Sequence, residues 1–248
     1  AIGQERGHDE ISTRITQNGR TRPEGFRKAQ RGMRLAAKFN MPIVTFIDTP
    51  GPDLSQEAEQ RGLGNAIAST MALMARLDVP SVSVIIGEAG SGGALALGVA
   101  DRTLMLENAT YSAVSPEEAA EIIFQDVDRA DEAAESMKLT AYDCRDLGII
   151  DTIVPEPPGG AHLDPEEAAR QLRRMIVSEL VNLQSTATKK MLKDRYKKYR
   201  NIGEYSSYFS AALTREVNAL QNLVSSGARW ITRRSAPTDP PPKPEKPN

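Results

Sequence analysis

Residues 87–98 read Gly-Glu-Ala-Gly-Ser-Gly-Gly-Ala-Leu-Ala-Leu-Gly and follow directly on a β-branched run, 79–86. Gly87, Gly90, Gly92 and Gly93 therefore crowd a strand-to-helix turn. Glycine removes the Cβ that keeps a reacting oxygen at a distance, and the first N–H groups of a helix have no acceptor inside the helix. Such a turn binds negative charge. If that charge develops on an oxygen during a reaction, the turn is a catalytic device that needs no acid, base or metal, and losing one donor costs about 10²- to 10³-fold in rate. A turn that acts only as a donor site also predicts that a side chain added at Gly93 stops turnover and leaves the fold intact.

Other chemistries have less to work with. A P-loop ends in Gly-Lys-Ser/Thr, whereas Ala94 follows Gly93, and the dinucleotide fingerprint wants a glycine where Leu95 stands. Ser91 as a nucleophile needs a base within hydrogen-bond reach, and His8 and His162 are the only imidazoles. The lone cysteine, Cys144, reads as a small buried hydrophobe and excludes an internal disulfide. With so few His and Cys residues, no metal site is expected. Asp48-Thr49-Pro50-Gly51 ends a strand in a loop. Two parallel strands ending side by side would bring that loop to the glycine turn, where Gly51 could add a second N–H.

Positioning these loops requires alternating helices and strands. Phe26, Ala29, Met33, Ala36 and Ala37 recur at helical spacing over 22–40, and 41–47 reads as a buried strand. One helix over 57–77 and a strand over 78–86 follow, then the glycine turn and its helix. Short strands are expected at 102–106 and 109–114. Ser115-Pro116-Glu117-Glu118 reads as an N-cap, Pro at N1 and a capping-box Glu. A short helix over 140–147, a strand over 149–154 and a helix over 164–183 complete an α/β pattern. The chain opens in what reads as a strand tail, so its domain is expected to begin upstream.

The expected organisation is a domain over 1–184, a charged helical extension over 185–234 and a disordered Pro-rich tail over 235–248. Lys189, Lys190, Lys193, Arg195, Lys197, Lys198 and Arg200, interleaved with Tyr196 and Tyr199, form the one concentrated basic segment. Either it is a solvated helix face or it contacts phosphates or an acidic partner, and the second is the expectation taken forward. The 248 residues carry 31 basic and 33 acidic side chains, for a net charge of -2, which argues against nucleic acid as the main partner. No stretch reaches the ~20 apolar residues of a membrane span, and a cytoplasmic location is expected.

Several stretches together resemble the α subunit of the bacterial acetyl-CoA carboxylase carboxyltransferase, within the crotonase superfamily. They are Arg22-Pro23-Glu24-Gly25-Phe26-Arg27-Lys28-Ala29, the run from Met41 to Gly51, the glycine turn from Gly87 to Ala96, Tyr111-Ser112-Ala113-Val114-Ser115-Pro116-Glu117, and Pro155-Glu156-Pro157-Pro158-Gly159-Gly160-Ala161-His162. The resemblance implies an α/β fold of the ClpP/crotonase type, a β-β-α spiral, here with a helical C-terminal extension. It implies transfer of CO₂ from carboxybiotin, held on a separate biotin carboxyl carrier protein, to the α-carbon of an acyl-CoA, together with a β-type carboxyltransferase partner. The turn matching Gly92, Gly93 and Ala94 is then the biotin-side oxyanion hole, and Gly51, Gly90, Ser91, Ala96 and Ser115 are expected to line the biotin or substrate site. The family's Asp-Thr-Pro-Gly usually continues Ala-Tyr-Pro-Gly, where this chain has Pro52-Asp53-Leu54-Ser55, and Glu118 replaces a usual glycine.

Overall fold

A computed structural model describes residues 1–203; the expected helical stretch beyond 203 and the Pro-rich tail lie outside the described residues. Strands β1 (Ile2–Gly3), β2 (Ile43–Thr49), β3 (Ser81–Gly90), β4 (Arg102–Leu106) and, after a short β5 (Thr110–Ser112), β6 (Thr152–Val154) form one parallel sheet. Its order is β1-β2-β3-β4-β6, and β5 branches off the far end of β3, pairing Glu88, Ala89 and Gly90 with Thr110, Tyr111 and Ser112. Strand β3 is central and covered on both faces, so its first half, Ser81–Ile85, is buried throughout, its two serines included. Val82, Val84 and Ile85 are buried, as are Ile47, Leu104 and Met105 beside them.

Helices α1 (Glu10–Thr16), α2 (Pro23–Lys38), α3 (Gln56–Gln60), α4 (Leu63–Arg76) and α5 (Ser91–Gly98) lead to the middle of the chain. After them come α6 (Pro116–Phe124), α7 (Ala130–Met137), α8 (Ala141–Asp146), α9 (Pro165–Gln184) and α10 (Thr188–Asn201). Phe26, Ala29, Met33 and Ala36 are the buried face of α2, as their spacing predicts. The single helix expected over 57–77 is two. Gly62, at φ 75°, separates α3 from α4 because only glycine takes that backbone conformation without strain. The charged segment after 184 does not stand apart: Met191 of α10 joins the main hydrophobic core. Among the described residues no helix is long and apolar enough to cross a membrane.

Strand β3 runs four residues past its expected end, into the glycines. Its pairing with β2 is regular up to Ile47 opposite Ile85 and then slips, with Thr49 opposite Ala89. The extra residues make room for Asp48. Its Oδ1 accepts from the Glu88 N–H at 3.0 Å and from Arg6 Nη1 at 3.1 Å, while Arg6 also reaches Glu88 Oε2 at 3.0 Å. Asp48 is thus a strut between two strand ends.

Candidate active site

Three of the four glycines are explained by the approach of the Asp48–Pro52 loop. A Cβ on Gly87 would lie 2.6 Å from Asp48 Oδ1, one on Gly90 2.3 Å from the Pro50 carbonyl oxygen, and one on Gly93 2.9 Å from the Gly51 carbonyl carbon. A side chain at Gly93 therefore meets backbone, and the expectation that it would leave the fold intact is corrected. Gly92 is different. Its Cβ would meet only Ile67 side-chain carbons at 3.6 and 3.7 Å, ordinary contact distances. Packing does not require glycine there.

Strand β3 ends where α5 begins, with Gly90 as N-cap and no side chain capping the helix. Side chains cap α1, α3, α6, α8 and α9, namely Asp9, Ser55, Ser115, Thr140 and Asp164, while α2, α4, α7 and α10 share the open start of α5. With Gly90 as cap, the N–H groups of Ser91, Gly92 and Gly93 precede the first intrahelical bond, and Ala94 is the first residue whose N–H reaches back to the capping carbonyl. The available donors thus stand one residue earlier than the Gly92, Gly93 and Ala94 set. Ser91 sits at φ 53°, a left-handed conformation that non-glycine residues adopt at a cost, and so turns the chain sharply from strand to helix.

The turn opens on a cavity of about 500 Å³ lined by Ser91, Gly92, Leu95, Tyr111, Leu139 and Ile149, with Lys138 its one charged wall residue. This volume suits a small ring system, with apolar walls and a polar end. Burial pushes the Tyr111 hydroxyl up to about 12, with Tyr199 and Cys144 adding to the shift, so it is a neutral phenol at any working pH. A larger cavity of about 690 Å³ lies along β1, residues 15–22 and α2, and none of the expected site residues lines it.

Other expected residues have different work. The Gly51 N–H donates to Thr49 Oγ1 at 3.0 Å and is spent inside the loop, so Gly51 supplies no second donor. Ala96 is fully buried beside Phe26, Ala58, Leu63 and Ala66, away from the cavity; Leu95 lines it instead. Ser115 caps α6 by accepting from the Glu118 N–H at 3.1 Å, and Glu118 Oε2 accepts from the Ser115 N–H at 3.1 Å. Glu118 thereby completes a capping box that glycine could not. The altered Pro52–Ser55 stretch is likewise local structure: Asp53 Oδ1 accepts from the Ser55 N–H at 2.9 Å, and Ser55 caps α3. His8 is exposed and faces Glu5, His162 is exposed, and neither lines the cavity with Ser91.

Tyr111, Lys138, Leu139 and Ile149 were not singled out as site residues. They reach the cavity only because β5 returns beside the end of β3, a tertiary pairing without local signal. In the basic segment, Arg195 is buried and forks onto Asp101, and Lys198 pairs with Asp151. Tyr199 donates to the Gly98 carbonyl at 2.7 Å and accepts from the Ala100 N–H at 2.8 Å, bracing the far end of α5. These three are internal struts and not partner contacts. The i, i+4 series Met191, Arg195, Tyr199 was the signal for them.

Cys144 is buried, and burial pushes its thiol up to about 11 from 9.0, with Asp143 adding. Only the thiolate attacks, and two pKa units mean about 100-fold less of it near pH 8. A thiol-reactive chromophore should therefore label the folded chain slowly and the urea-unfolded chain at once; rapid stoichiometric labelling of the folded chain would contradict this burial.

Comparison with known proteins gives these features a setting. The family model described as acetyl co-enzyme A carboxylase carboxyltransferase-like matches residues 1–203. The acetyl-coenzyme A carboxylase carboxyl transferase subunit alpha of Staphylococcus aureus (strain JH9) is 48% identical over 204 residues, covering 82% of this chain and 65% of that protein. The chain thus spans a little under two thirds of the length of the curated relatives it matches. Among solved structures, a Pseudomonas malonate decarboxylase hetero-tetramer in complex with malonate superposes with a TM-score of 0.62 at 18% identity, covering 82% of this chain and 78% of that one. The transcarboxylase 12S structure with methylmalonyl-coenzyme A and methylmalonic acid bound gives 0.59 at 24%, covering 68% and 32%. At such identities the likeness is one of fold.

Proposed function

The chain belongs to the acetyl co-enzyme A carboxylase carboxyltransferase-like family, and from that premise we propose that it is the α-type half of a cytoplasmic, biotin-dependent acyl-CoA carboxyltransferase. The reaction moves CO₂ from carboxybiotin to the α-carbon of an acyl-CoA, with acetyl-CoA to malonyl-CoA as the substrate pair. Its partners are a β-type half and a biotin carboxyl carrier protein. The branch of β5 from the end of β3 supports the crotonase-type spiral, and α10 supports a helical C-terminal extension.

The observation that carries this reading is the uncapped start of α5 opening into an apolar cavity. The cavity fits a biotin ring: aliphatic walls for its carbons and sulfur, and N–H donors at one end for its carbonyl oxygen. Bound there, carboxybiotin supplies a labile carboxyl group. The Ser91 and Gly92 N–H groups, on residues that line the cavity and fixed before any reaction, meet negative charge as it develops on an oxygen at that end, where a water-excluding wall strengthens each hydrogen bond. The Lys138 ammonium adds positive charge at the same wall. Leu95, Leu139 and Ile149 exclude water, and Tyr111 stays protonated, so no wall group ionises to oppose the charge.

Transfer to an acyl-CoA develops negative charge at two places, the group giving up CO₂ and the carbon receiving it, and the described residues offer one uncapped glycine turn on a cavity. The chain alone should therefore be inactive with free carboxybiotin derivatives and acetyl-CoA, and should gain malonyl-CoA formation when a β-type half is added. Full carboxyl transfer by the purified chain alone would overturn the reading.

A further inference from the structure

Helix α10 presents a second surface that the proposed reaction leaves unused. Its inner face is fixed by Met191, Arg195, Lys198 and Tyr199. At 3.6 residues per turn, Lys189, Lys193, Lys197 and Arg200 with Tyr196 fall within about 100° of arc on the opposite side, along about 16 Å of helix. All five are exposed, Tyr196 at 71%, and among the described residues none of the four cations closes an ion pair, Asp194 beside Lys193 and Lys197 being paired with Lys190. The anchors of α10 tie it to the residues before β3 and β4, Val79 and Asp101, whereas the glycine turn stands at the opposite, C-terminal end of β3. The stripe therefore does not serve the cavity of its own chain.

Its charge complement is on the same chain. Residues 116–137, comprising α6, a short turn and α7, hold eight acidic side chains and one basic, Arg129. This excursion packs around its own small cluster of Ala119, Ala120 and Ala133. Beside its acids it exposes Ile122 at 72% and Ile123 at 59%, apolar counterparts for Tyr196. No ion pair joins the stripe to the excursion within one molecule among the described residues, so their attraction is left for two molecules.

We propose that the outer face of α10 docks a second copy of this chain through the acidic excursion 116–137. Opposite fields of this size steer encounter and fix register, and they weaken as salt shortens the Debye length from about 10 Å at 0.1 M to about 3 Å at 1 M.

Sedimentation velocity on the full 248-residue chain tests this with two charge-reversed forms, Lys193→Glu/Lys197→Glu and Glu121→Lys/Glu135→Lys. Unchanged circular dichroism and melting would show that each is folded. The unaltered chain should self-associate with concentration at low salt and dissociate at 1 M salt. Each reversed form alone should associate at least about tenfold more weakly, and an equimolar mixture of the two should regain association, since each then meets its opposite. A chain that is monomeric throughout, or an association indifferent to both reversals, overturns the proposal. So does a stripe that, without self-association, instead binds a DNA duplex or the β-type half.

Discussion

Replacing Arg195 by methionine should cost about 3–5 kcal/mol of folding stability, the range for breaking one side of a buried ion pair. Its Nε and Nη2 fork onto Asp101 Oδ1 and Oδ2 at 2.8 and 2.7 Å, and Nη1 donates to the Met74 and Leu77 carbonyls at 2.8 Å each. Those carbonyls end α4, where a cation also meets the negative end of the helix dipole. Asp101 in turn accepts from the Ser81 N–H and hydroxyl, both at 2.8 Å, so one guanidinium links α10, α4 and the starts of β3 and β4. Removing it strands a buried carboxylate. For a chain of this size the loss corresponds to a melting temperature lower by about 6–20 °C. Arg195→Lys should rescue little, because one ammonium cannot reproduce the fork. Adding Asp101→Asn to the methionine variant should recover part of the loss by removing the stranded charge. A change below about 1 kcal/mol in urea unfolding would contradict the role assigned to Arg195.

The same arginine marks the limit of what local pattern reports. In a run of exposed lysines it reads as one more solvated cation, and only the spacing of Met191 and Tyr199 around it hints that it faces inward. The buried face of α2 was legible from its helical spacing, β3 from its β-branched residues, and the Ser115 cap because its partner Glu118 stands three residues away. The glycine turn was legible as a turn. What each glycine is for was not: Gly87, Gly90 and Gly93 answer to a loop some 40 residues earlier in sequence, and Gly51 spends its N–H on Thr49. The cavity walls at Tyr111, Lys138 and Leu139 depend on β5 returning to the end of β3, which no stretch of residues announces by itself.

The turn's chemistry predicts the second large effect. A donor aimed at developing charge is worth about 10²- to 10³-fold in rate, or about 2.7–4 kcal/mol. Side-chain substitution tests this poorly here. Any Cβ at Gly93 strikes the Gly51–Pro52 backbone, and a methyl at Gly92 faces Ile67 without removing the N–H, so Gly93→Ala confounds folding with catalysis and Gly92→Ala should stay within a few-fold of normal. Ser91→Ala should likewise keep most activity, because the hydroxyl has no assigned role; complete inactivation would favour a serine nucleophile. The decisive change is a backbone ester at position 92, glycolic acid in place of Gly92, which replaces the N–H of the cavity-lining glycine by oxygen and adds no atom. In the complex with a β-type half, malonyl-CoA formation should fall about 10²- to 10³-fold with the KM for acetyl-CoA and the melting temperature little changed. Near-normal turnover by the folded ester-bearing chain would contradict the account, and would make the turn no more than a close junction of strand and helix.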